Sequence, residues 1–166
     1  MKGWTIFAVV FVSAGLTGCL SDDSRFIKTE NPFNLKEVEW ATKRGTNTVT
    51  GTIDVQGTDG KKYPCDFASV SPDSAYNREI ITMNFGNTEG ATIPQKDMPI
   101  RFVYQNANED LTVRKTNCGW RGHYTLSSIP DGVWYFTTMA GPRNAGLFMM
   151  RRIELRGDQV LEINLP

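Results

Sequence analysis

Residues 122–136 read Gly-His-Tyr-Thr-Leu-Ser-Ser-Ile-Pro-Asp-Gly-Val-Trp-Tyr-Phe. Alternating stretches from His123 to Ile129 and from Val133 to Thr138 flank Pro130-Asp131-Gly132, which predicts two β-strands joined by a tight turn. Proline fixes one backbone angle of such a turn, and glycine adopts the positive φ angle that other residues avoid. We therefore expect a positive φ at Gly132.

Similar patterns continue on both sides of this segment. Thr48 to Val55 alternates with a period of two, and the turn residues 57–60 separate it from a second run, Tyr63 to Ser71, which predicts a hairpin. Phe148 to Arg156 and Val160 to Leu165 flank Gly157-Asp158 and predict another hairpin. Further strands are expected over Ile100 to Tyr104 and Leu111 to Lys115. The whole pattern predicts an all-β fold, an antiparallel β-sandwich of about seven or eight strands.

Two segments do not fit a simple strand. The interval 71–110 is interpreted as a loop-rich insertion: Glu79 to Phe85 fits a helix or a strand, and Gly86 to Pro99, with two glycines and two prolines, is predicted to be a loop. For Leu35 to Trp40, a short helix and an extended segment with Trp40 packed on the body are both compatible with the sequence.

The N-terminus contains Lys2, an apolar run from Ile6 to Ala14, and Leu16-Thr17-Gly18-Cys19. A positive charge, an apolar core too short to span a membrane and small residues before a cysteine are typical of a cleaved secretory signal. The last four of these residues resemble the lipobox of bacterial lipoproteins. The resemblance implies that residues 1–18 are a signal peptide, that cleavage falls between Gly18 and Cys19, and that Cys19 carries lipid. The alternative is an ordinary signal peptide with a chance cysteine.

A lipidated Cys19 implies attachment to a membrane of the cell envelope. The next residue is Leu20 and not the aspartate that resembles an inner-membrane retention signal, which favours the outer membrane, facing the periplasm, over the inner membrane. Residues 20–32 are polar and are predicted to form a flexible tether of roughly 20 Å. Residues 19–45 are accordingly assigned to the lipidated cysteine, the tether and a lead-in.

Composition limits the classes of partner. The 166 residues include 18 Lys and Arg against 18 Asp and Glu, and loss of Lys2 leaves 17 basic residues, so no basic excess points to nucleic acid. The mature length fits one domain, which we assign to residues 46–166. With Cys19 lipidated, Cys65 and Cys118 remain. An even cysteine count in an exported chain predicts a disulfide, the alternative being two buried thiols.

Three motifs together resemble the carboxypeptidase regulatory-like, or transthyretin-like, β-sandwich. They are Val49-Thr50-Gly51 followed by Asp59-Gly60, the segment 117–126, and the segment 129–136. The resemblance covers about residues 46–166, and only the interval 71–110 has no counterpart in the minimal domain. It implies a sandwich that binds, spaces or stiffens, without a shared set of catalytic residues.

Few residues of this sequence are candidates for catalysis. His123 is the single histidine, and with both remaining cysteines bridged we predict no metal site and no cofactor. A serine nucleophile needs a base, but His123 lies in a predicted strand beside Tyr124 and is interpreted as structural. We therefore predict that the protein is not an enzyme. A small periplasmic hydrolase with two facing carboxylates stays open as an alternative.

Aromatic residues are the candidate binding groups. Trp134-Tyr135-Phe136 places rings on both faces of one strand, so either both faces are covered or one is a binding surface. Trp120, Trp134 and Tyr104 are the candidate surface residues. We predict a non-catalytic envelope lipoprotein that binds an envelope protein or a saccharide. Because transthyretin-like lipoproteins serve as outer-membrane anchors of secretion or conjugation assemblies, a subunit of such an assembly is the alternative.

Overall fold

Two β-sheets pack face to face in the computed structural model, and a helix covers the outer face of the larger sheet. The structure describes residues 29–98, 108–142 and 145–164. Its helices are α1 (Leu35–Val38) and α2 (Ala75–Phe85), with 3₁₀ turns at Glu39–Thr42 and Gln95–Asp97. Its strands are β1 (Asn47–Thr52), β2 (Asp54–Gln56), β3 (Lys62–Pro72), β4 (Gly90–Pro94), β5 (Arg114–Asn117), β6 (His123–Ile129), β7 (Gly132–Ala140), β8 (Leu147–Leu155) and β9 (Val160–Glu162).

The smaller sheet has the strand order β6-β1-β9, and the larger has the order β2-β3-β7-β8-β4, with β5 paired to β3. Most pairs are antiparallel, but β9 runs parallel to β1. The predicted all-β sandwich is confirmed, with one parallel pair added. No helix within the described ranges is long and apolar enough to cross a bilayer.

Strand β7 is covered on both of its faces. Trp134 and Phe136 are fully buried in the core between the sheets, against residues such as Val49, Val70 and Leu126. Tyr135 points the other way, into a second apolar cluster formed with residues of α2 and β8: Ile81, Phe85, Phe148 and Met150. Burial of each such side chain contributes about 1.5–3 kcal/mol. The aromatic run is therefore a core element on both sides.

The predicted hairpin over residues 48–71 is wrong in its first half. The chain bends at Ile53, where its N–H donates to the Gly122 carbonyl and its carbonyl accepts from the Cys65 N–H. β1 therefore joins the smaller sheet, while β2 and β3 form a hairpin in the larger sheet. The alternation of buried and exposed residues continues through the bend, so the sequence pattern does not show that the chain passes from one sheet to the other at Ile53.

The predicted C-terminal hairpin is wrong as well. β8 pairs with β7 and β4 in the larger sheet, and β9 pairs with β1 in the smaller. Gly157 and Asp158 both have positive φ, and the Gly157 N–H donates to the Asp131 carboxylate. The Gly-Asp pair therefore turns the chain from one sheet to the other.

Residues 71–98 of the predicted insertion are more regular than predicted. α2 begins at Ser74, whose hydroxyl accepts from the Asn77 N–H, and ends at Gly86, which has positive φ. The predicted loop over residues 86–99 contains β4, which pairs with β8 and tolerates Pro94 because it lies at the sheet edge. The predicted strand over residues 100–104 lies outside the described residues.

Residues 30–45, here called the N-terminal segment, are packed on the domain. The Glu79 carboxylate accepts from the backbone N–H groups of Glu30 and Asn31, and Arg114 donates to the Ala41 carbonyl. At its end the Gly45 N–H donates to the Ser128 carbonyl. Residues 30–45 therefore belong to the folded domain, which corrects the predicted boundary at residue 46 and the tether prediction for residues 30–32.

Trp40 and the turn at Gly132 close one end of the sandwich, here called the base. The Trp40 and Trp134 rings pack edge to face with centroids 5.1 Å apart. Gly132 has φ of +145°, and a Cβ there would lie 2.5 Å from two ring carbons of Trp40. The predicted positive φ is confirmed, and the close approach of Trp40 is a second reason for glycine.

The cysteines lie at the opposite end of β3 from the base. Cys65 and Cys118 form a disulfide with a Cα–Cα distance of 5.6 Å and a sequence separation of 53 residues. The predicted disulfide is confirmed. Cys65 belongs to β3, and Cys118 follows β5, so the bond ties the larger sheet to the chain that leads into β6.

A first prediction concerns Gly132. We expect Gly132→Val to lower the free energy of unfolding by more than about 1 kcal/mol beyond Gly60→Val, in urea titrations. Gly60 is the matched control because its φ is +76° and nothing lies within 4 Å of an added Cβ. Equal losses in the two variants would show that Trp40 does not restrict this position.

A second prediction concerns the disulfide. Closing a loop of 53 residues contributes about 4 kcal/mol in the chain-entropy account. Since each kcal/mol shifts the midpoint of a domain of this size by about 2–4 °C, a Cys65→Ser/Cys118→Ser variant should melt more than about 5 °C lower. Two free thiols in protein isolated from the envelope, or an unchanged midpoint, would contradict the assignment.

Candidate binding site

A tight turn at Gly119–Gly122 leads from Cys118 into β6. The Gly122 N–H donates to the Gly119 carbonyl at 2.8 Å, and the Gly119 N–H donates to the His123 carbonyl at 2.8 Å. Gly122 has φ of +76°, and a Cβ there would lie 2.0 Å from the Ile53 carbonyl oxygen. Hydrogen bonds, the disulfide and the contact with Ile53 thus fix this element, here called the Trp120 turn.

Trp120 is the most exposed large apolar side chain among the described residues, at 80%. The Arg121 guanidinium carbon lies 4.2 Å from the centre of its ring, which places a cation against the indole. An aromatic side chain buries about 150–250 Å² when covered, so a partner that covers this ring gains about 4 kcal/mol before the costs of binding. An exposed indole on a fixed turn is therefore suited to contact a partner.

A polar sheet surface starts beside the Trp120 turn. The outward side chains of β1 and β6 alternate with buried residues, and they are exposed or half-buried. Thr52 pairs with His123, and Thr50 pairs with Thr125. We call this surface the hydroxyl face, formed by Thr48, Thr50, Thr52, His123, Thr125 and Ser127. It continues from the turn towards the base.

The three predicted surface aromatics have different positions. Trp120 is exposed as predicted. Trp134 is 0% exposed, and its indole N–H donates to the Pro130 carbonyl, so its assignment to a binding surface is corrected. Trp134 lies on the inward side of an alternating strand, whereas Trp120 lies between glycines in a turn. The glycines that flank Trp120 are the sequence signal that distinguishes the exposed tryptophan from the buried one. Tyr104 lies outside the described residues.

The other predicted site residues also fall partly within and partly outside the described ranges. Gly18 and Cys19 lie outside the described residues. His123 is exposed on the hydroxyl face, beside the Trp120 turn, and is not part of the core. In the described part of the chain, no group of three or more His, Cys, Asp or Glu side chains is arranged to hold a metal ion.

Shifted pKa values trace to burial and to hydrogen bonds within the fold. The pKa of Asp131 is lowered because its carboxylate accepts from the Asn47 side chain and from the Gly157 N–H. Burial raises the pKa of Tyr124, whose hydroxyl donates to the Ile163 carbonyl. These groups stabilise the sandwich, and neither belongs to the Trp120 turn.

Comparisons with known proteins find a likeness in structure. No family model matches the sequence, and no curated protein matches it. The fold is similar to the crystal structure of a protein from Pseudomonas aeruginosa that is provisionally described as carbohydrate binding, with a TM-score of 0.56 and 14% identity. The match covers 81% of this chain and 99% of that one. At this identity the likeness shows a shared fold.

Proposed function

We propose that this protein is a non-catalytic binding module of the cell envelope that contacts saccharide through the Trp120 turn. The observation that carries the proposal is the 80% exposed indole on a turn held by a disulfide. One face of a sugar ring carries mainly C–H groups and packs on aromatic rings, while its hydroxyls need polar neighbours. The Trp120 turn and the hydroxyl face offer both kinds of contact side by side.

The rigidity of the turn supports a binding role. A surface loop that must become ordered loses conformational entropy on binding, which reduces affinity. Here Gly119, Gly122 and Cys118 are already held by hydrogen bonds and by the disulfide. The structural likeness to a protein provisionally described as carbohydrate binding agrees with the proposal, although it shows only the fold.

We further propose that Cys19 anchors the module to the outer membrane, facing the periplasm. The support is the lipobox resemblance of residues 16–19 together with the confirmed disulfide, which fits an oxidising compartment. Ten residues separate Cys19 from Glu30, the start of the N-terminal segment, and they reach at most about 35 Å when extended. The domain would therefore stay close to its membrane.

Membership of the carboxypeptidase regulatory-like family remains part of this proposal. The sandwich has the architecture that the resemblance implies, and that family's accessory roles fit a binding module. The described residues add no observation in favour of a secretion-assembly subunit or a small hydrolase.

A third prediction tests saccharide binding on a glycan array, with the mature protein in detergent. We expect the wild type to bind at least one saccharide, and Trp120→Ala to weaken that binding about thirtyfold, as for loss of an aromatic contributing about 2 kcal/mol. Leu111→Ala is the control because Leu111 is also exposed, at 56%, but lies outside the Trp120 turn. A wild type that binds no saccharide, or equal binding by Trp120→Ala, would refute the proposal.

A fourth prediction tests the anchor. In a bacterial host that processes lipoproteins, Cys19→Ala should abolish labelling by palmitate, because acylation needs the thiol of that residue. The Cys65→Ser/Cys118→Ser variant should keep its label, since those cysteines are joined to each other. Equal labelling of the wild type and Cys19→Ala would end the lipoprotein assignment.

A further inference from the structure

We infer that the ligand is an extended, uncharged glycan chain that places one sugar ring on Trp120 and the following rings along the hydroxyl face. This inference rests on the proposed saccharide function and adds the class of ligand and its path. Four observations carry it: the continuity of the two surfaces, the length of the hydroxyl face, its lack of lysine and arginine, and the hydrogen-bonding state of its hydroxyl groups.

The hydroxyl face begins where the Trp120 turn ends. His123, the first residue of β6, follows Gly122 directly, and it pairs with Thr52, the last residue of β1. The next residue, Ile53, donates to the Gly122 carbonyl. The indole and the first pair of the hydroxyl face are thus held in a fixed relation, and one ligand can contact both without ordering a loop.

The hydroxyl face is longer than a single sugar ring. Outward side chains repeat every second residue along a strand, so Thr48 and Thr52 lie about 13 Å apart, and directly paired residues lie about 5 Å apart across the strands. This strip, which Val160 and Glu162 of β9 border on one side, runs from the Trp120 turn towards the base. Its length and width fit a chain of several sugar rings better than one ring.

Short uncharged side chains predominate on this surface. Five of its six residues carry hydroxyls and the sixth is His123; Glu162, beside Thr50 on β9, is a neighbouring carboxylate, and Arg121 of the Trp120 turn is a cation at the other end of the ligand path. An anionic polymer is bound by clustered lysine and arginine, and the hydroxyl face carries neither. The charge of the surface therefore favours a neutral glycan.

Thr50 and Thr125, the paired residues in the middle of the hydroxyl face, already use their hydroxyl hydrogens in hydrogen bonds within the protein. The Thr50 hydroxyl lies 2.8 Å from the Tyr124 carbonyl, to which it donates, and 3.1 Å from the Thr125 hydroxyl. Because the Thr50 hydroxyl donates its single hydrogen to the Tyr124 carbonyl, the bond between the two hydroxyls must be donated by Thr125. The Thr125 oxygen, on an exposed side chain, keeps lone pairs to which a sugar hydroxyl is suited to donate.

The test compares Thr50→Val/Thr125→Val with the wild type, using calorimetry with cello-oligosaccharides and fully N-acetylated chito-oligosaccharides of two to six units. These probes are neutral, and their β-1,4 links keep them extended. We expect the wild-type affinity to rise with probe length. The variant should bind the shortest probe unchanged and the longest about tenfold more weakly, which corresponds to 1.4 kcal/mol. Thr92→Val, on exposed β4, is the matched control, and melting midpoints check that each variant folds.

The outcomes separate this inference from the proposed function. If binding depends on Trp120 but the valine variant keeps the whole gain with length, the path along the hydroxyl face is wrong and the saccharide function stands. Tighter binding of oligogalacturonates than of both neutral series would overturn the neutral class. If neither these probes nor any saccharide on the array binds the wild type, the function and the inference fall together.

Discussion

The disulfide between Cys65 and Cys118 joins β3 of the larger sheet to the connection that leads from β5 into β6 of the smaller sheet. β3 carries Cys65 in the larger sheet, while Cys118 immediately precedes the turn into β6 of the smaller sheet. Ile53 completes this junction, because its backbone bonds to both Gly122 and Cys65. The position of the Trp120 turn, and with it the start of the hydroxyl face, depends on this connection.

The base has a different construction from the end that carries Trp120. There Trp40 of the N-terminal segment packs on Trp134 and against Gly132, and the Asn47 side chain links the Ile129 carbonyl to the Asp131 carboxylate. The stretch of β3 from Cys65 to Pro72, which separates the two ends, spans about 23 Å. One end is thus closed by the protein's own side chains, and the other presents an exposed indole. That asymmetry is the structural basis for assigning contact with a partner to the Trp120 turn.

Sequence patterns predicted the elements of this fold better than their pairing. The alternation of β6 and β7, the turn at Gly132 and the disulfide were all predictable, because each depends on local chemistry or on a cysteine count. The two hairpins were mispredicted because alternation shows that a segment is a strand and does not show which sheet it joins. At Ile53 and at Gly157, backbone bonds to distant residues decide that choice. Residues 30–32 were mispredicted for a related reason: the backbone N–H groups of Glu30 and Asn31 bond to Glu79, which a polar composition does not reveal.

The exposed indole of Trp120 is the centre of this account, and indole N–H signals in a ¹H–¹⁵N correlation spectrum test it directly. Without residues 1–18 the chain has three tryptophans, Trp40, Trp120 and Trp134, and so three such signals. Titration with a saccharide that the protein binds should shift the signal of Trp120 strongly and leave that of Trp134, which donates to Pro130 inside the core, nearly unchanged. A titration that saturates without moving the Trp120 signal would contradict the account.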